Sequence, residues 1–241
     1  MRNLIAEIYG KLENHMEDEL TGNVFGTMRY TSFDKIFKPL LKACIRPKEI
    51  GSVIDKINCD FWGDKIKFWA YDKLGEIDVL INFDEVILGI EVKYLSGLSG
   101  ANQLEREAEI ITRKACGREK ILLFLAPEGT CLDIVTADYR KNFLDTWDLK
   151  LCYIAWEDLF TELKNLAYDA ALNPYEKIIA DDLIKLLTLK EFERFKSFDL
   201  GDVEKIFVED GYFDFIAVEN NSAQINFVYD EKIEEGNFYE F

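Results

Sequence analysis

GEIDVLINFDEVILGIEVKY, residues 75–94, is the segment that decides the fold. Two apolar runs rich in β-branched residues, 77–83 and 86–94, flank the acidic pair Asp84-Glu85. Such runs on either side of a two-residue break predict two antiparallel strands joined by a tight turn, although Asp-Glu is not a favoured turn pair. The segment is therefore interpreted as a β-hairpin.

A regular register for this hairpin pairs residues whose numbers sum to 169. Because side chains alternate along a strand, one face is then wholly apolar and is predicted to be core. That face consists of Ile77, Val79, Ile81, Phe83, Val86, Leu88, Ile90, Val92 and Tyr94. On the other face Asp78 lies opposite Glu91, and Glu76 lies opposite Lys93. Directly opposed side chains have Cβ atoms about 4.5–5.5 Å apart, so two carboxylates are expected to meet.

Two facing carboxylates repel each other unless a cation lies between them or they share a proton. A Mg²⁺ ion suits this position because it binds a few carboxylates and retains several waters. Lys93 follows Glu91 on the same face, where an ammonium can orient one of those waters. Two alternatives stay open: an ordinary solvated hairpin face, and a salt-bridge cluster that holds no metal.

The flanking sequence predicts alternating helices and strands. Periodicity and capping residues predict helices over residues 3–18, 19–30, 31–44, 102–116, 157–171 and 174–189. Further strands are expected over 65–71, 121–126 and 151–156. This order predicts an α/β fold in which helices cover both faces of a mixed β-sheet. We expect a core over residues 1–172, followed over 173–241 by a helix and a small acidic, aromatic-rich appendage packed on the core.

The composition limits the kinds of metal site and catalytic group that the chain can form. The chain of 241 residues has one histidine, His15, which excludes two-histidine metal sites within one chain and any catalytic triad that does not use His15. Catalysis is expected to depend on carboxylates, Lys or Cys. The five cysteines have no C-x-x-C spacing and are interpreted as reduced, largely buried thiols of a cytoplasmic protein. Neither a signal peptide nor a membrane span is predicted.

The charge is unevenly distributed. With 29 Lys and Arg against 46 Asp and Glu, the net charge of −17 argues at first against a nucleic-acid partner. Residues 1–120, however, hold 18 basic and 20 acidic residues, whereas residues 121–241 hold 11 and 26. The half that contains the hairpin is thus nearly neutral, and the acidic half is expected to repel DNA, to mimic it or to dock a basic partner.

Together these residues resemble the PD-(D/E)xK nuclease superfamily, which has the restriction-endonuclease-like fold. The likeness rests on Asp78 and the triplet Glu91-Val92-Lys93 on paired strands followed by a helix. It covers roughly residues 15–160, the span over which the elements follow in the same order. Glu19 on the first helix and Gln103 early in the helix after the triplet also match the family. One departure is Ile77, which stands before Asp78 where the family name has Pro.

The resemblance implies Mg²⁺-dependent hydrolysis of phosphodiester bonds, with Mn²⁺ as a substitute. Asp78 and Glu91 would bind the metal, and Glu19 would bind it or its waters. Lys93 would orient the attacking water, and Gln103 would contact substrate or solvent.

Two features of the helix after the triplet leave their interpretation open. Glu107 stands four residues after the Gln, where some family members have Tyr. The basic residues here and just beyond are expected either to contact phosphates or to form a solvated helix face. They are Arg106, Arg113, Lys114, Arg118 and Lys120.

The leading hypothesis is a cytoplasmic metal-dependent DNA nuclease, acting as an endo- or exonuclease. An RNase uses the same chemistry and stays an alternative. So does a catalytically inactive binding module of this fold in a defence or toxin–antitoxin-like system. DNA is favoured over RNA as partner, the acidic C-terminal region is expected to accommodate a protein, no membrane is expected, and a homodimer is left open.

Overall fold

The computed structural model describes residues 16–59, 61–98, 100 and 102–194, together with the strand segments 207–208, 211–218 and 222–228. These residues belong to two compact units, Met1–Glu193 and Arg194–Phe241. His15 and most of the helix predicted over residues 3–18 lie outside the described residues.

The first unit contains eight described α-helices and five strands. The helices are α1 (Met16–Met28), α2 (Lys38–Cys44), α3 (Gly51–Asp55), α4 (Gln103–Lys114), α5 (Glu128–Ile134), α6 (Ala137–Trp147), α7 (Trp156–Ala167) and α8 (Pro174–Leu189). The strands are β1 (Ile66–Asp72), β2 (Gly75–Asn82), β3 (Val86–Val92), β4 (Glu119–Ala126) and β5 (Lys150–Ala155). A π-helical turn, Phe33–Phe37, leads into α2, and a 3-10 turn, Lys48–Ile50, leads into α3.

The five strands form one mixed sheet in the order β1-β2-β3-β4-β5. The pairs β1–β2 and β2–β3 are antiparallel, whereas β3–β4 and β4–β5 are parallel. One buried cluster packs α1, α2, α7 and α8 on one face of the sheet, and a second cluster packs α4, α5 and α6 on the other. The predicted α/β fold with a mixed sheet covered on both faces is confirmed.

The hairpin register agrees with the prediction over four residue pairs. Each pair sums to 169: Val79–Ile90, Leu80–Gly89, Ile81–Leu88 and Asn82–Ile87. The register is well determined because a shift of one residue would turn every core side chain of the strand to the other face.

One residue of the predicted apolar face lies elsewhere. Ile77 is fully buried, but it packs in the cluster beneath α4 rather than with Val79. In β1, Phe68 pairs with Val79 and Ala70 pairs with Ile77, and Trp69 between them has a φ of 44°. The left-handed conformation of Trp69 interrupts the alternation of side chains. Ile77, one residue before Asp78, therefore points to the face of the sheet that α4 covers rather than to the face of Val79.

The division into units differs from the predicted boundary at residues 172/173. Pro174 begins α8, and Asn173 and Glu176 form a capping box at its start. Ala180 and Leu183 on this helix are buried in the main core. Since the helix packs there, it belongs to the first unit, which ends at Glu193.

The second unit contains a three-stranded antiparallel sheet in the order β6-β7-β8. Its strands are β6 (Phe207–Val208), β7 (Gly211–Val218) and β8 (Ser222–Val228). The expectation that this appendage packs on the core stays a prediction.

The cysteines are free thiols, as predicted. Four are buried, but Cys116, which was expected to be buried, is exposed because it lies in the turn after α4 with a φ of 50°. Within the described part of the chain, no helix combines the length and the apolar character that a membrane crossing requires.

Candidate functional site

Strands β2 and β3 separate at the positions where the two carboxylates were expected to face each other. Their pairing ends at Val79–Ile90. One residue further, Oδ2 of Asp78 accepts a hydrogen bond of 2.9 Å from the backbone N–H of Val92. Asp78 and Glu91 are therefore not a cross-strand pair, and the space between the strands opens into a cleft.

The cleft has a volume of about 280 Å³ and lies at the carboxyl end of β3. Of the residues predicted for the site, Asp78, Glu91, Lys93 and Gln103 line it. Glu19 is half-buried on α1 and is not among the lining residues. Two residues that were not predicted, Glu17 and Glu107, line the cleft as well.

Lys93 is held rigidly in this cleft. Only 5% of it is exposed, and its Nζ lies 2.6 Å from Oε1 of Glu91 and 2.9 Å from Oε1 of Glu17. Its backbone N–H donates to Leu125, and its carbonyl accepts from the indole of Trp156. Burial opposes the charge on Lys93, but the two carboxylates outweigh burial and raise its pKa.

Glu17 also secures the backbone that follows β3. Its Oε2 accepts hydrogen bonds from the N–H of Tyr94 at 3.1 Å and from the hydroxyl of Ser96 at 2.6 Å. Glu17 precedes the buried residues Leu20 and Val24 by three and seven positions, so helical periodicity turns it towards the sheet. That spacing is the signal that distinguishes Glu17 from Glu19.

Glu91 is 1% exposed. Its Oε1 accepts from Lys93 and from the amide Nε2 of Gln103, the first residue of α4. Burial raises the pKa of Glu91, against the opposing charge of Lys93. Asp78 is half-buried at the cleft wall, and burial followed by the charge of Glu91 raises its pKa well above the usual value.

Glu107 lies one helical turn after Gln103 on α4 and is 2% exposed. Its carboxyl group lies within hydrogen-bonding reach of the Glu91 carboxylate and of the Gln103 amide. Burial and then the charge of Glu91 raise the pKa of Glu107 well above its usual value, and Gln103 offsets this only in part.

The lining offers carboxylate and amide oxygens, the donors that Mg²⁺ prefers. Among the described residues, however, no three or more His, Cys, Asp or Glu side chains are assembled as a metal site. The donor chemistry thus fits Mg²⁺, while the present arrangement is a network of ion pairs centred on Lys93.

The basic residues near the cleft separate into two groups. Arg106 is exposed and lines the cleft. The other four are engaged elsewhere: Arg113 with Glu109, Lys114 with Asp72, Arg118 with three backbone carbonyls, and Lys120 with Trp147 and Asp148. Arg106 is therefore the one of the five that remains a candidate for a phosphate contact.

In comparisons with protein-family models, with curated proteins and with solved structures, no match to this chain was found.

Proposed function

We propose that the chain is a Mg²⁺-dependent nuclease of the restriction-endonuclease-like fold that hydrolyses phosphodiester bonds of DNA. The observation that carries the proposal is the convergence of Asp78, Glu91 and Lys93 in one cleft at the end of β3. A buried lysine bound to a buried carboxylate, beside a second carboxylate of raised pKa, is the kind of arrangement that clusters at active sites.

The topology supports the fold assignment. A helix precedes an antiparallel hairpin, and a helix then connects β3 to the parallel strand β4. In open α/β sheets, ligands bind beside the carboxyl ends of the strands, where this cleft lies.

Each residue has a role that follows from its contacts. Asp78 and Glu91 would hold Mg²⁺, which when bound lowers the pKa of water and stabilises charge on the phosphate. Lys93 has three N–H donors, of which two bind Glu91 and Glu17, so one is left to orient the attacking water. Gln103 orients Glu91.

The test is cleavage of linear and circular DNA, and of RNA, with Mg²⁺ or Mn²⁺. Asp78→Asn should abolish cleavage, whereas the matched control Asp84→Asn, in the exposed hairpin turn, should cleave like wild type. Cleavage of RNA alone would replace DNA with RNA as substrate. Equal cleavage by wild type and Asp78→Asn, or none on either nucleic acid, would overturn the proposal.

A second candidate is a non-catalytic binding module. It is favoured by the ion pairs of Lys93 with Glu91 and Glu17, in which the lysine ammonium balances both carboxylates without a metal ion. It predicts that calorimetry detects no Mn²⁺ binding. In either case we propose a cytoplasmic protein whose acidic C-terminal region, within residues 173–241, docks a protein partner.

A further inference from the structure

The turn that ends α8 carries Phe192 into the main core. Glu191 follows the helix with a φ of 62°, and the N–H groups of Glu191 and Phe192 donate to the carbonyls of Thr188 and Leu187. These two bonds form a Schellman motif, in which the residue after the left-handed position packs back on the helix. Phe192 is accordingly 4% exposed, whereas Glu191 is exposed to solvent.

The backbone of this turn is strained at Glu191. The left-handed region suits glycine, and a glutamate in it is strained because its Cβ crowds the backbone. Strain of this kind persists only where the surrounding structure holds it, and it clusters at positions that a function requires. What the turn accomplishes here is the burial of Phe192.

The ring of Phe192 contacts two residues that support Lys93. It stacks on Trp156, with the ring centroids 5.2 Å and the planes 20° apart, and it meets Tyr94 edge-on at 5.4 Å. The indole N–H of Trp156 donates to the carbonyl of Lys93 at 2.8 Å, and Tyr94 is the next residue along the chain. An indole directs this bond only while its ring is held in one rotamer, and the stacked phenyl ring holds it.

We propose that Phe192 is a positioning residue, which fixes the backbone of Lys93 through Trp156 and Tyr94 and thereby places the lysine ammonium in the cleft. This role rests on the proposed function, in which Lys93 orients the attacking water. Phe192 itself is not among the residues that line the cleft. Because a small displacement of a catalytic group slows the chemical step without weakening substrate binding, the loss of Phe192 should lower kcat rather than raise KM.

The test combines amide hydrogen exchange with cleavage kinetics on the full chain. Phe192→Leu keeps an apolar side chain but removes the stacked ring. The amide of Lys93 should then exchange about tenfold faster relative to that of Leu123 in the inner strand β4. With DNA and Mg²⁺, kcat should fall about tenfold while KM stays within about twofold. Leu183→Ala, on α8 in the same core cluster, is the control for lost packing and should change neither the exchange ratio nor kcat.

A second pair of variants alters the turn without changing a core side chain. Glu191→Gly and Glu191→Val remove the same exposed carboxylate, but glycine adopts the left-handed conformation freely and valine does not. Glu191→Val should therefore reproduce the effects of Phe192→Leu on the Lys93 amide and on kcat, whereas Glu191→Gly should behave like wild type.

The outcomes separate this role from the proposed function. If the exchange ratio is unchanged in Phe192→Leu, or changes equally in Leu183→Ala, then Phe192 only fills the core and the positioning role is overturned, while the proposed function stands. Equal effects of Glu191→Gly and Glu191→Val would overturn it as well. If wild type cleaves no nucleic acid, the proposed function fails, and the exchange of the Lys93 amide still decides whether Phe192 fixes this segment.

Discussion

The side chain of Asp78 accepts a hydrogen bond of 2.9 Å from the backbone N–H of Val92, at the point where pairing between β2 and β3 has ended. A backbone partner is thus replaced by a carboxylate, and the strands separate without leaving this N–H unsatisfied. Because Val92 lies between Glu91 and Lys93, the same bond fixes the segment that carries both. One oxygen of Asp78 remains for the cleft.

This double role predicts different results for two substitutions of Asp78. Asparagine retains an oxygen for the N–H of Val92, so Asp78→Asn should leave stability in EDTA unchanged or raise it. Asp78→Ala leaves that N–H without its acceptor and should cost about 1–3 kcal/mol in urea unfolding. Both variants should lose about 100-fold or more in cleavage rate. Equal stabilities would contradict the structural half of this prediction.

The hairpin was predictable because strict alternation and a short turn allow only one register that buries every apolar side chain. The face of Ile77 was mispredicted because the alternation of side chains is interrupted at Trp69, on the neighbouring strand β1. The φ of 44° at Trp69 cannot be read from the sequence of the hairpin. Helices α5 and α6 were not predicted at all. Each presents few buried residues, so the apolar periodicity along them is weak.

The site residues on strands could be predicted from the alternation of side chains. Those on helices were harder to predict, because which face of a helix packs on the sheet depends on tertiary contacts. Asp78, Glu91 and Lys93 followed from the hairpin. Glu17 and Glu19 are adjacent acids whose positions depend on how α1 packs, and the packed residues Leu20 and Val24 select Glu17. The described helix also runs through residues 18 and 19, where two separate helices were predicted.

The ion pair between Lys93 and Glu91 predicts strong energetic coupling. Lys93→Met leaves Glu91 buried without its cation and should cost about 3–5 kcal/mol of unfolding free energy. Adding Glu91→Gln removes the uncompensated charge and should restore a large part of that loss. A double-mutant cycle in urea should give a coupling energy of at least about 1 kcal/mol. Additive effects would show that the two groups are separately solvated.

The raised pKa of Glu107 predicts how stability depends on pH in EDTA. Because the pKa is higher in the folded chain than in the unfolded chain, the folded state binds more protons between the two values. The contribution of this group is fully present below the unfolded pKa and is lost as pH rises through the folded pKa. The unfolding free energy of wild type should therefore fall relative to that of Glu107→Gln as pH rises above about 5.

The measurement is urea unfolding of both proteins across this pH range, with Glu109→Gln as the control for removal of one carboxylate. Comparison between variants cancels the contributions of Asp72 and Glu119, whose lowered pKa values act in the opposite direction. A constant difference between wild type and Glu107→Gln at all pH values would contradict the prediction.

The contacts of Glu17 predict that it matters more than Glu19. Glu17→Gln loses the ion pair with Lys93 and weakens the anchoring of Tyr94 and Ser96. We expect cleavage to fall about tenfold and stability to fall by about 1 kcal/mol. Glu19→Gln is the matched control two residues away and should stay within about twofold of wild type. The reverse order of effects would restore the original assignment of Glu19.

The position of Arg106 predicts a contact with a substrate phosphate that affects substrate binding but not the cleavage step. Its exposed side chain lines the cleft, whereas Arg113 on the same helix is paired with Glu109 and serves as the control. Arg106→Ala removes a contact made equally by bound substrate and transition state, so KM should rise while kcat stays near wild type.

The salt dependence gives an independent measure of the same contact. Each phosphate that a cation neutralises releases counterions, so the slope of log(kcat/KM) against log[salt] should become shallower by about 1 in Arg106→Ala and should not change in Arg113→Ala. A fall in kcat with an unchanged slope would show that Arg106 acts within the carboxylate network instead. The other four basic residues near the cleft are engaged with carboxylates or backbone carbonyls, so the loss of this single cation should be measurable.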